Sequence, residues 1–168
     1  ALITFFKATQ DQTARERLIE MIFVLSNSVV RMDVGACFEA YHFNWTPLHG
    51  HEHDRVSYGH NLENILLLTE ACKTVGLSGN LLLNLYKTIF SYSIKFGFDT
   101  EKGGFYDSGP LNKPADRLQK VWWAQAEALV SAVNMYSLCG EHVYLIYFNK
   151  TLNWIEKYQV DWKNGDWF

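Results

Sequence analysis

Apolar residues recur at steps of three and four along most of the chain, which is the spacing of one face of an α-helix. The clearest case runs through Leu18, Ile22, Leu25 and Val29. Glycine, proline and polar turn residues interrupt this spacing and divide the chain into segments. The pattern predicts helices at Leu2 to Thr9, Ala14 to Met32, Tyr58 to Val75, Leu81 to Phe96, Gln119 to Leu138 and Glu141 to Tyr158.

The stretches between these helices carry signals of their own. Residues 36–43 mix aromatic and small residues, which favours a short strand or β-hairpin. Ser57 offers a side-chain cap to the helix that begins at Tyr58. Residues 97–117 hold four of the eleven glycines and two of the three prolines, so we expect a long connection with its own turns. Loops of that length inside a compact domain tend to carry function.

The six helices form three consecutive pairs. Helix pairs in series are typical of helical toroids and solenoids, in which each pair buries its apolar face against its neighbours. We therefore expect residues 1–168 to form a single all-α domain, an internal or C-terminal-half portion of a six-pair barrel. The uncapped start before Leu2 and the turn-rich residues 161–168 lead us to expect that the natural protein continues beyond these residues.

Composition excludes several classes of protein. The chain is 48% hydrophobic, enough for a packed core, and its net charge of −3 comes without a basic stripe for nucleic-acid phosphates. Its three cysteines are few, odd in number and widely spaced, which argues against a disulfide framework. The apolar runs are far shorter than the roughly 20 residues of a membrane span. We expect a cytoplasmic protein with no nucleic-acid or membrane partner.

The first candidate for chemistry is the run Ser57-Tyr58-Gly59-His60-Asn61-Leu62-Glu63-Asn64. His60 and Glu63 are three residues apart and so are neighbours on one helix face. The helix dipole disfavours an imidazolium in the first turn and a nearby carboxylate favours it, a balance that suits a group that takes and returns a proton at neutral pH. The alternative is a surface or capping histidine beside a glutamate.

The second candidate is the run Lys120-Val121-Trp122-Trp123-Ala124-Gln125-Ala126-Glu127-Ala128-Leu129. Trp123 and Glu127 share one stripe of the predicted helix, and an aromatic plane beside polar groups is what a sugar site needs. Trp122 shares its face with Leu129 and Val133, which favours a place in the core. The alternative for the two tryptophans is a purely structural pair.

A third cluster, His49-Gly50-His51-Glu52-His53-Asp54, superficially resembles a metal site. It lies in a loop with no scaffold to fix the ligand geometry, so we expect a solvated loop and no metal. The motifs of serine hydrolases, of phosphate-binding loops and of dinucleotide-binding folds do not occur in the sequence.

The runs at residues 57–63 and 120–129 resemble motifs of the N-acylglucosamine 2-epimerase family, and within it the cellobiose 2-epimerase branch. Asn44-Trp45-Thr46-Pro47 and Gly103-Gly104-Phe105-Tyr106 also look like family features, so the resemblance covers nearly the whole chain. The sequence departs from the commonest pattern at two positions, with asparagine at 61 where aspartate is frequent and alanine at 124 where proline is frequent.

The resemblance implies an (α/α)6 barrel that needs no cofactor and acts at C2 of a reducing, unphosphorylated sugar by histidine acid/base chemistry. It assigns proton transfer to His60, with Glu63 beside it, and stacking and polar contacts with the substrate to Trp123 and Glu127. The remaining residues that it places against the sugar are Trp122, Tyr58 and Asn61. It finds no match for the family's other histidines and its arginine, which are expected outside residues 1–168.

Two other functions stay open at this point. A helical-barrel glycoside hydrolase would use a carboxylate pair such as Glu63 with Glu127 or Asp107. A catalytically silent sugar-binding or interaction protein would keep the scaffold alone. For the epimerase we expect a small-molecule sugar as substrate, and a homo-oligomer is compatible with the sequence.

Overall fold

The computed structural model describes residues 1–50 and 53–167, and helices dominate that part of the chain. They are α1 (Leu2–Thr9), α2 (Gln12–Val24), α3 (Tyr58–Thr74), α4 (Leu83–Gly97), α5 (Trp122–Cys139) and α6 (Val143–Tyr158). The six predicted helices are therefore confirmed, and their boundaries shift by a few residues.

The largest shift is at the end of α2, which the apolar spacing extended to Met32. A short π-helical turn, Leu25–Val29, follows α2, and the chain then enters a strand. Val29 and Val30 are both buried, so apolar residues continue through the change from helix to strand. Apolar spacing alone therefore cannot locate the end of the helix.

Short strands form three antiparallel pairs within the described residues. They are β1 (Val30–Arg31) with β2 (Ala36–Cys37), β3 (Arg55–Ser57) with β4 (Ser108–Pro110), and β5 (Val160–Asp161) with β6 (Asp166–Trp167). The hairpin predicted at residues 36–43 thus begins earlier, at Val30, and its second strand ends at Cys37. After it, Tyr41 forms a single bridge with Pro47.

Three connections share one hairpin design. Residue i pairs with residue i+7 in each: Val30 with Cys37 in the first hairpin, Phe98 with Phe105 in the second, and Val160 with Trp167 in the third. Each turn places a glycine in the left-handed region, and the N–H of that glycine donates to the carbonyl four residues earlier. These glycines are Gly35, Gly103 and Gly165, with φ of 85°, 81° and 79°. The repeated design shows that the chain is built from equivalent helix pairs.

Side-chain contacts fix the directions of the helices. The N-terminal ends of α3 and α5 meet, because Gly59 packs against Trp123. Further along the same two helices, Asn134 donates to the hydroxyl of Thr69, so α3 and α5 run parallel. Helices α2 and α4 run opposite to α3: Arg15 near the start of α2 donates to the carbonyl of Val75, and Gly97 at the end of α4 packs against Tyr58. The hairpins that precede α3 and α5 therefore lie at the same end as the N-termini of those two helices.

The core lies between α3, α4, α5 and α6, with Tyr58, Leu62, Ile65, Tyr86 and Met135 among its fully buried side chains. The prediction that Trp122 belongs to this core is wrong, because its side chain is 57% exposed. It begins an apolar stripe of α5 that continues through Val130 and Val133, both also exposed. The stripe has no helix packed over it among the described residues, so α5 is only partly enclosed.

Among the described residues, none of the helices has the length and hydrophobicity required to cross a membrane.

Candidate active site

The first turn of α3 is buried except at His60. Ser57 caps the helix as predicted, accepting the N–H of His60 at 3.4 Å. Tyr58 and Asn61 are fully buried, whereas the imidazole of His60 is about half exposed. One face of this turn therefore anchors the helix in the core, and the opposite face carries His60 at the protein surface.

Asn61 joins three elements. Its Oδ1 accepts the N–H of Cys37 at 2.9 Å, and its Nδ2 donates to the hydroxyl of Ser93 on α4 at 3.3 Å. Asn64 adds a second link, since its Nδ2 donates to Sγ of Cys37 at 3.4 Å. These bonds hold the β1–β2 hairpin against α3. The structure thus places Asn61 beneath the surface that carries His60, where both its amide oxygen and its amide nitrogen form hydrogen bonds within the protein.

His60 forms its side-chain hydrogen bond with Glu39, just after the β1–β2 hairpin. The distance from Nδ1 of His60 to Oε1 of Glu39 is 2.9 Å. The three-residue spacing predicts Glu63, on the same helix, as the partner of His60. At the start of a helix a side chain leans back towards the preceding segment. Here that segment is the hairpin, so the carboxylate that meets the histidine comes from another element.

Trp123 covers the ring of His60. The two ring centroids are 5.1 Å apart with an interplanar angle of 34°. Gly59 makes this contact feasible, because a Cβ at that position would lie 2.6 Å from Cη2 and Cζ3 of Trp123. Two residues predicted to line the site, His60 and Trp123, are thus brought together by a glycine that the sequence analysis did not single out.

Glu63 and Glu127 form an acidic part of the same wall. Burial raises the pKa of the Glu127 carboxyl, and the negative charge of Glu63 raises it further. Oε2 of Glu127 is buried with no hydrogen-bond partner among the described residues. A buried, unpaired carboxylate oxygen favours a role in binding, because a sugar hydroxyl would satisfy it.

The other two predicted contacts lie apart from this wall. The Tyr58 ring is packed against Gly97, where a Cβ would lie 2.3 Å from its Cγ, and it serves the core. Trp122 lies beside Trp167 and Asp166 of the β5–β6 hairpin, and with Ala126 they line a groove of about 610 Å³. Neighbouring residues of a helix diverge by about 100°, so Trp122 and Trp123 face different surroundings.

A buried ion pair fixes the chain where it enters α5. Nζ of Lys120 lies 2.8 Å from Oδ2 of Asp99, donates to the carbonyl of Gly103, and faces the ring of Trp154. Burial alone would raise the pKa of Asp99, but hydrogen bonds from Lys120 and from the Glu101 and Lys102 N–H groups lower it to about 2. This pair ties the second hairpin to the start of α5 and so helps to place Trp123.

The histidine-rich loop is only partly described, since His51 and Glu52 lie outside the described residues. Nδ1 of His49 lies 2.9 Å from Oδ1 of Asp54, whose Oδ2 accepts the N–H of Gly50. These contacts close a turn. Within residues 1–50 and 53–167, no three histidine, cysteine or acidic side chains are grouped so that they could hold a metal ion.

Neither Glu39 nor Gly59 follows from the sequence motifs. Glu39 has a recognisable position, four residues after the glycine of the first hairpin turn, and Asp107 stands four residues after Gly103 in the second. The hairpin repeat is thus the signal that could have identified Glu39. Gly59 carries no comparable signal, since its reason lies in a tryptophan more than sixty residues away.

Parallel helices with connecting hairpins at one end, and a histidine, carboxylates and a tryptophan at that same end, define a helical-hairpin protein with a candidate site lined by acidic, histidine and aromatic side chains. The family model described as N-acylglucosamine 2-epimerase (GlcNAc 2-epimerase) matches residues 1–168. The chain belongs to this family, and the resemblance noted in its motifs is confirmed.

Individual proteins of this kind also resemble the chain in sequence and in structure. The chain is 23% identical over 172 residues to cellobiose 2-epimerase of Dictyoglomus turgidum, covering 100% of this chain and 42% of that protein. It matches the crystal structure of a sugar epimerase from a ruminal bacterium with a TM-score of 0.85 and 24% identity, over 100% of this chain and 42% of the other. For a D-mannose isomerase the TM-score is 0.85 at 21% identity, over 99% and 45%.

The chain therefore spans less than half the length of these relatives. The prediction of an (α/α)6 barrel, of which this chain supplies about half, is confirmed.

Proposed function

We propose that the full-length protein is an epimerase or isomerase that acts at C2 of a reducing, unphosphorylated sugar, with His60 transferring the proton. The observation that carries this proposal is the contact between His60 and Trp123, on a wall that also holds Glu63 and Glu127. A histidine stacked on an indole can exchange a proton with a sugar that rests on the same aromatic surface.

The chemistry follows from the acidity of a carbon next to a carbonyl. Opening of the sugar ring exposes an aldehyde, a base removes the C2 proton, and an enediolate forms. Return of a proton to the opposite face of C2 gives the epimer, and return to C1 gives the ketose. No step changes the overall oxidation state of the sugar, so His60 and a second acid/base group suffice. That second group would come from the part of the barrel outside residues 1–168.

The other wall residues would bind and orient the sugar. Trp123 offers an apolar plane to a sugar ring, and the buried Oε2 of Glu127 would accept a sugar hydroxyl. Glu63 would contact the sugar beside Glu127. Tyr58 and Asn61 would act from beneath, by holding the first turn of α3 in place. Trp122 would contact the sugar from the groove that it shares with Trp167.

A cytoplasmic location is part of this proposal. Cys37, Cys72 and Cys139 are all free in the structure, which suits a reducing compartment. Association into a homo-oligomer stays a prediction.

Glycoside hydrolysis is the second candidate, because Glu63 is close enough to Glu127 to raise its pKa. Hydrolases place two carboxyl groups about 5 to 9.5 Å apart across the bond they cleave. The products distinguish the two functions. With cellobiose, an epimerase yields a disaccharide with inverted C2, whereas a hydrolase yields glucose.

The test is to incubate the full-length protein in deuterated water with cellobiose, N-acetylglucosamine, mannose and glucose. We expect deuterium at C2 of at least one sugar, detected by NMR and mass spectrometry. Glucose release from cellobiose would favour the hydrolase. Sugar binding without exchange or cleavage at any pH would favour a binding protein.

A further inference from the structure

We propose that Glu39 is a positioning residue that fixes the protonation pattern of the His60 ring, with the proton on Nδ1 and the lone pair on Nε2. The catalytic consequence rests on the proposed function, but the tautomer itself does not.

The hydrogen bond defines the tautomer. A carboxylate can only accept, so Nδ1 at 2.9 Å from Oε1 of Glu39 must donate. In the neutral ring the other nitrogen then carries the lone pair. Because the two ring nitrogens point in divergent directions, Nε2 faces away from Glu39, and no hydrogen bond from the described residues engages it. His60 is thereby prepared to accept a proton at Nε2.

The backbone that carries Glu39 is held on both sides. Cys37 is paired with Val30 across the hairpin and donates to the buried Asn61, one residue after His60 on α3. Phe38 is buried, and its N–H donates to the hydroxyl of Tyr41 at 3.1 Å. The position of the Glu39 carboxylate relative to α3 is therefore set by buried contacts, although the carboxylate itself is about half exposed.

The second hairpin provides an internal comparison. Asp107 stands at the position equivalent to Glu39, four residues after the turn glycine. Its carboxylate accepts the hydroxyl of the adjacent Ser108 at 2.9 Å, and its backbone carbonyl accepts the N–H of Tyr58. The equivalent position thus meets the start of α3 in both hairpins, but through the backbone carbonyl of Asp107 in the second and through the carboxylate of Glu39, which meets a histidine, in the first.

Trp123 and Glu39 restrain the ring of His60 in complementary ways. The indole restricts the tilt of the imidazole plane, at a centroid distance of 5.1 Å, and the carboxylate fixes its rotation about the Cβ–Cγ bond. Exposed ion pairs contribute little to stability, so the role of Glu39 is geometric. Loss of a hydrogen-bonded partner that orients a metal-binding histidine costs about 10- to 100-fold in affinity or activity, and we expect a loss in that range here.

The experiment is long-range ¹H–¹⁵N NMR of the full-length protein labelled on histidine, at a pH where the spectra no longer change. Glu39→Ala removes the acceptor, whereas Glu39→Gln keeps an oxygen that can accept. Glu101→Gln removes a similarly exposed carboxylate from the second hairpin and is the matched control. His60→Asn assigns the signals. We expect the Nδ1–H form in the wild type, in Glu39→Gln and in Glu101→Gln, and its loss in Glu39→Ala.

C2 exchange of the best sugar gives the second measurement. We expect kcat to fall about 10- to 100-fold in Glu39→Ala with KM within about twofold, and to fall less in Glu39→Gln. An unchanged tautomer in Glu39→Ala would overturn the proposal, whatever the activity. A changed tautomer in a protein that exchanges no sugar would support the positioning role and refute the proposed function.

Discussion

Removal of the Lys120 ammonium should destabilise the fold in a pH-dependent way. The pKa of the Asp99 carboxyl is about 2 in the folded protein, against an ordinary value of about 3.9. That difference corresponds to about 2 to 3 kcal/mol of stability at neutral pH. Because the folded pKa is the lower one, the contribution is present above about pH 4 and is lost as the pH falls towards 2. At pH 3 about half of it remains.

The variant is Lys120→Met, which keeps an apolar stem against Trp154 and Tyr106. Lys120 makes the largest of the contributions that lower the pKa of Asp99, so we expect the free energy of unfolding in urea to fall by up to about 2 to 3 kcal/mol at pH 7, and by about half as much at pH 3. Lys102→Met is the matched control, an exposed lysine of the same turn, with an expected change within about 0.5 kcal/mol. Equal losses for the two variants, or a Lys120→Met loss that is the same at both pH values, would refute this reasoning.

Three further predictions concern packing. Gly59→Ala should displace Trp123 from His60 and weaken sugar binding by about tenfold, measured by calorimetry; unchanged affinity would show that the stack is dispensable. Asn61→Leu should cost about 1 to 3 kcal/mol in urea unfolding, since it leaves the buried N–H of Cys37 unpaired; a loss below about 1 kcal/mol would contradict the network. The isolated 168-residue chain should associate and show no activity, because the α5 stripe is exposed; a monomeric, active chain in light scattering and exchange assays would contradict this.

Much of the fold follows from local signals in the sequence. The apolar spacing identifies all six helices, and Ser57 identifies the start of α3, because helix faces and caps depend on residues within a turn of each other. The strands were harder to predict. β3 pairs with β4 some fifty residues away, and such pairing leaves no local trace in three-residue strands.

The candidate site shows the same division. His60 and Trp123 were identified from motifs, and the structure brings them together. The partner of His60 was missed because Glu39 lies on another element, 21 residues earlier, and only the fold brings it within hydrogen-bonding distance. The apolar neighbours of Trp122 on its helix predict a place in the core, but the structure leaves its side chain exposed. Apolar spacing cannot distinguish a face buried within these residues from a face that further helices of a barrel would cover.

The central claim is that His60 moves a proton at C2 of a sugar bound on the wall formed by α3 and α5. Its most direct test is the rate of deuterium incorporation at C2, compared between the full-length wild type and His60→Asn, with sugar affinity measured in parallel. The account predicts a loss of at least about 10³-fold in the exchange rate, with affinity within a few-fold of the wild type. An exchange rate within tenfold of the wild type would contradict it.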